Sequence, residues 1–148
     1  MRRVLAFQGV DELLPEVRRL IPAHRTVGRW TLAQVCRHLA DTITGSMDGF
    51  DLRRHRVKRF FLSKRLLRYT FQHGITPGYT VDPKLTPPPQ VNLDEAVARL
   101  ERAVERYRSY RGRLRSHPLF GDLSREKWDQ LHCFHGAHHL SFVIPTDG

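Results

Sequence analysis

Helical periodicity constrains this chain more than any other feature. Apolar residues recur at three- and four-residue spacing along most of its length, and no strand-like alternation of useful length accompanies them. Leu13, Leu14, Val17, Leu20 and Ile21 mark a first short helix over Asp11 to Ile21, with Pro15 in its first turn and Pro22 ending it. Thr31 and Gln34 form a capping-box pair, and Trp30 and Val35 stand where a hydrophobic staple would put them. Leu32, Val35, Leu39, Ile43, Ser46 and Phe50 then line one face of a second helix to about Gly49–Asp51. Asn92 with Glu95 opens another helix, whose seam runs through Leu93, Val97, Leu100, Val104, Tyr107 and Leu114. Ser124 caps a last helix from Arg125 to about Val143.

Two stretches interrupt this pattern. From Arg53 to about Tyr69 the chain is very basic, and Val57, Phe60, Phe61, Leu66 and Leu67 suggest a helical or partly helical piece. From Gly74 to Val91 it carries Pro77, Gly78, Pro83, Pro87, Pro88 and Pro89, through which no regular helix can pass. Long loops inside a compact domain are often functional. This one reads as a crossover lying across one end of a bundle. The expected fold is therefore an all-α bundle of four principal helices, occupying residues 1–148 as a single domain.

Composition bounds the setting. A chain of 148 residues, 40% hydrophobic and 27% charged, can bury a core. Val4 to Phe7 is too short for a signal peptide or a membrane span, so a cytoplasmic protein without a membrane partner is expected. Two cysteines, Cys36 and Cys133, make no disulfide framework and read as small buried hydrophobes. The net charge of +10 comes from 25 Lys and Arg against 15 Asp and Glu. Such a charge favours nucleic acid, a lipid surface or small acidic metabolites, and also serves solubility.

The chemistry concentrates in the last helix, where four of the nine histidines, His132, His135, His138 and His139, fall within eight residues. At about 100° per residue, His135 and His139 lie roughly 40° apart, and His132 falls within about 20° of His139. They share the apolar stripe with Trp128 and Phe142 and point inward. A buried imidazole needs both nitrogens satisfied, because an unpaired buried polar group costs about 1–3 kcal/mol. Three on one stripe are hard to satisfy unless something binds them together, and histidines at i and i+4 can reach one divalent ion. His138 lies at the edge of the stripe, either behind a ligand or exposed, and His132 could ligate or stand behind a ligand. A third ligand must come from another helix; His24, His38, His55, His73, Asp41 and Asp48 are all eligible. His38 lies roughly 100° from the centre of its helix's apolar stripe, so periodicity alone does not choose it.

The residues also carry a resemblance. Trp30-Thr31-Leu32-Ala33-Gln34 leading to His38-Leu39-Ala40-Asp41, together with His135-x-x-His138-His139, resembles the DinB-like superfamily. His117-Pro118-Leu119-Phe120-Gly121, with Ser124-Arg125-Glu126-x-Trp128 and the following histidines, looks like a bacterial branch of it known only as a domain of unknown function. The resemblance covers about Trp30 to Phe142. It implies an antiparallel four-helix bundle, often dimeric, with nickel or zinc held by His38, His135 and His139. It also implies metal-dependent transferases that use a low-molecular-weight thiol, or a thiol-dependent isomerase. This chain has Leu140-Ser141-Phe142 where many members have Arg-Gly-Gln, which argues against assuming a particular thiol.

Three neutral imidazoles leave an open position on an ion, the mark of a catalytic site. The expected activity is activation of a small thiol or water against an electrophilic small molecule, an anionic one suiting the arginine excess, with Asp41 as a candidate orienting group or base. One rival is an ion that only cross-links helices. Nucleic-acid binding through Arg53–Arg59 ranks third, since no helix-turn-helix or zinc-finger spacing accompanies it.

Overall fold

The computed structural model describes residues 1–50, 60–75 and 83–146. The Arg53–Arg59 segment, His55, Pro77 and Gly78 lie outside the described residues. Among those described, the chain is mostly helical, with a small two-stranded sheet. A 3-10 turn at Val10–Glu12 leads into α1 (Leu13–Leu20); β1 (His24–Thr26), α2 (Leu32–Asp48) and α3 (Phe60–His73) follow. After a second 3-10 turn at Pro83–Leu85 come α4 (Leu93–Ser109), α5 (Arg125–Leu140) and β2 (Val143–Pro145). No described helix is long and apolar enough to cross a membrane.

The helix starts follow local chemistry. Thr31 and Gln34 make both halves of the capping box, at 3.2 and 3.0 Å. Asn92 accepts from the Glu95 N–H, and Ser124 from the Lys127 N–H. At its far end α2 stops on Gly49, whose φ of 105° lies in the region that favours glycine. α2 packs chiefly against α4 and also against α5, while α1 touches both α4 and α5. The core between them contains Leu13, Val17 and Leu20 of α1; Leu32, Val35, Leu39, Ile43 and Met47 of α2; Leu100, Val104 and Tyr107 of α4; and Leu140 of α5. Cys36 and Cys133 are free and buried, as their composition suggested.

Three expectations change. α4 ends at Ser109, well short of Leu114. The Arg125 guanidinium takes up the Tyr107 and Tyr110 carbonyls at 2.9 and 3.0 Å, so a side chain from α5 satisfies acceptors that another helical turn would have used. Leu114 still packs on the core, from irregular chain. α5 ends at Leu140, and Val143 enters a strand instead. There Arg3 donates to the Leu140 and Val143 carbonyls and shares an ion pair with Glu16, so the chain's start holds its end. Finally, β1 and β2 pair antiparallel, with Arg25 opposite Ile144. Strands of three residues are too short to leave an alternation in the sequence. The basic stretch contributes α3 to the described structure, whose Phe71 ring lies 5.7 Å from that of Phe134 on α5.

Candidate metal centre

His38 sits midway along α2 and is buried; His135 and His139 sit one turn apart on α5 and are half-buried. The packing of α2 on α5 brings the three rings to one point. His135 Nε2 lies 3.1 Å from His38 Nε2 and 3.0 Å from His139 Nε2, and the three donor atoms all lie within 4.8 Å of one another. Nitrogens about 2.0–2.1 Å from a single tetrahedral ion stand about 3.3 Å apart, so the cluster is close to ligand spacing. Two contacts steer the rings. The Trp30 indole stacks on His139, 5.0 Å away and 13° from parallel, and tilts against His38 at 4.8 Å. On its far side His38 Nδ1 faces the Leu85 carbonyl at 2.8 Å.

That carbonyl decides the protonation pattern. A carbonyl only accepts, so His38 Nδ1 carries the proton and the neutral ring turns its Nε2 lone pair toward the cluster. If His135 Nε2 also presents a lone pair, two acceptors face each other. If it carries a proton, that single N–H cannot point at both His38 and His139. Protonating a ring would resolve the conflict, but burial opposes it. Desolvation is the leading cause that pushes His38 below the ordinary imidazole value of 6.5. It pushes His135 and His139 well below that value, and the neighbouring histidines add to the effect. Three converging neutral imidazoles are thus poorly satisfied by one another. A divalent cation accepts all three lone pairs, and the donor set fits one.

The other sequence candidates go elsewhere. His132 is buried beneath Trp128 with Nε2 3.2 Å from Ser46 Oγ, and burial holds its imidazole down to about 3. His138 lies beside the His139 and Phe142 rings, with Nδ1 3.4 Å from the Arg2 guanidinium; desolvation first, then Arg2, holds it down to about 4. His24 Nδ1 bonds the Leu20 carbonyl and His73 Nδ1 the Tyr69 carbonyl. Asp48 is gripped by both Arg106 amino groups. The Asp41 carboxylate is shared by Arg37 and Arg99, each at 2.8 Å, so it ties α2 to α4. Much of the arginine excess is engaged in this way, as in the Arg18–Glu101 and Arg125–Asp129 pairs.

Sequence reasoning missed two contributors. Trp30 read as a staple residue, and nothing in its spacing pointed to the histidine rings. Leu85 contributes through its backbone, which has no side-chain signature at all.

No curated protein and no solved structure matches this chain. The family described as "Protein of unknown function (DUF1569)" matches residues 1–146, nearly the whole sequence, and the chain belongs to it.

Proposed function

We propose that this protein is a metal-dependent enzyme of the small-thiol-transferase or hydrolase type, holding a divalent ion, zinc or nickel, with His38, His135 and His139. In this reading α1, α2, α4 and α5 form the four-helix, DinB-like bundle that carries the site. The observation that supports it is the convergence of three Nε2 atoms whose lone pairs cannot all be satisfied by hydrogen bonds within the cluster. Among the described residues no fourth His, Cys, Asp or Glu joins the group. A three-histidine site of this kind would leave a coordination position open, and an ion held by the three imidazoles would supply Lewis acidity to ionise a thiol or water near neutral pH.

The protein's own residues have distinct tasks in this proposal. Leu85 fixes the His38 tautomer, and Trp30 limits how far His139 can swing. Arg2, beside His138 and over the Phe142 ring, adds positive charge at the edge of the site, which suits an anionic small molecule. Asp41, already shared by two arginines, positions helices and is not needed as a base.

The test is elemental analysis of protein purified without an affinity tag, wild type beside the His135→Ala/His139→Ala double variant. About one zinc or nickel per chain in the wild type, lost in the variant, supports the reading. No metal in either, with the variant merely less stable, would mean that the histidines are packing residues and would end the enzyme reading.

A further inference from the structure

The Pro-rich connection is fastened to α2 at two points one helical turn apart. His38 Nδ1 donates to the Leu85 carbonyl at 2.8 Å. Gln34, four residues earlier on α2, donates from Nε2 to the Pro88 carbonyl at 2.9 Å and to the Pro89 carbonyl at 3.4 Å. The same amide accepts the Thr31 N–H through Oε1 at 3.0 Å, as its half of the capping box. The cap therefore sets the amide's orientation: with Oε1 committed to Thr31, the NH2 group must face the prolines. Pro87, Pro88 and Pro89 have no N–H, so this stretch offers only acceptors and needs a donor from elsewhere to hold it. Their φ angles are restricted by the pyrrolidine rings, and Pro87 is buried. Few soft torsions remain between the Pro88 carbonyl and Leu85 to absorb a displacement.

We infer that Gln34 is a positioning residue for the metal centre: by holding the Pro88 carbonyl it keeps the Leu85 carbonyl on His38 Nδ1, and so keeps the His38 Nε2 lone pair available to the ion. This rests on the three-histidine reading above. Outer contacts of this kind orient a ligand and fix its tautomer. The coupling is reciprocal: an ion on Nε2 makes the Nδ1 proton a stronger donor, which tightens the connection onto α2.

Two substitutions separate this role from simple helix capping. Gln34→Glu keeps an acceptor for the Thr31 N–H, and its charge suits a helix N-terminus. It replaces the donor facing Pro88 with a second oxygen. Thr31→Ala removes the acceptor for the Gln34 N–H, at 3.2 Å, and leaves the Gln34 amide in place. For each protein we would measure the zinc dissociation constant by chelator competition, the ring 15N shifts of His38 without metal, and Tm. The expected result for Gln34→Glu is an about tenfold weaker zinc affinity, loss of the Nδ1–H signature of His38, and a Tm no lower than that of Thr31→Ala. Thr31→Ala should lower Tm and keep the wild-type zinc affinity and tautomer. If wild type and Gln34→Glu bind zinc equally well with the same His38 tautomer, the positioning role is wrong while the metal centre stands. If the wild type binds no zinc, both fall together.

Discussion

Acidifying the metal-free protein probes the buried histidines directly. In an unfolded chain each imidazole titrates near 6.5. In the fold, desolvation first of all holds His132 down to about 3 and His135 and His139 well below 6.5. Above about pH 7 both states are neutral and these groups exert no pH dependence. As pH falls through 6.5 the unfolded chain takes up protons that the folded one refuses. The stability present above that value is therefore lost on acidification, and for His132 the loss continues down to its folded value of about 3. Counting only these three histidines, three protons taken up on unfolding give a slope of about 4 kcal/mol per pH unit. At that slope a domain stable by about 5 kcal/mol should lose its fold roughly one pH unit below 6.5, and a more stable one correspondingly lower. Zinc at about 100 times its dissociation constant adds about 2.7 kcal/mol, which moves that midpoint down by at most about two thirds of a pH unit. The assay is urea unfolding followed by circular dichroism at pH 7.5, 6.5, 6.0 and 5.5, with chelator and with zinc. A stability that stays flat from pH 7 to 5.5 without metal would refute the burial argument, because three neutral, desolvated imidazoles cannot be silent across that window.

Two further outcomes follow from packing and thiol chemistry. At Gly136, next to His135, a Cβ would stand 2.3 Å from Cδ2 of the fully buried Leu13. Gly136→Ala should cost about 1–3 kcal/mol of overpacking against about 1 kcal/mol gained in helix propensity, a net fall in the urea midpoint; a rise would mean that Leu13 does not seat there. Burial also pushes Cys36 up to about 12 and Cys133 up to about 11. Both thiols should react with a disulfide reagent at pH 8 at least about 100-fold more slowly in the native protein than in urea; rapid native labelling of Cys36 would contradict its place in the core.

The helices themselves were legible because their determinants are local. Capping pairs such as Thr31–Gln34, Asn92–Glu95 and Ser124–Lys127 act within one turn, and the periodic apolar faces need only the chain's own spacing. The i, i+4 pair His135–His139 was legible for the same reason, since one helix brings those rings together whatever it packs against. What the sequence could not decide involved groups far apart along the chain. Periodicity could not choose His38 over His24, His73 or Asp48; the resemblance implied it, and in the structure α2 lies on α5 so that His38 joins the pair, while each of the others is engaged by a neighbour of its own. The early end of α4 depended on Arg125 reaching back to the Tyr107 and Tyr110 carbonyls, and the end of α5 on Arg3. Likewise the protonation pattern at the centre hangs on the backbone carbonyl of Leu85, 47 positions away from His38. A backbone oxygen is the same for every residue type, so only the tertiary structure can say which one arrives at a histidine.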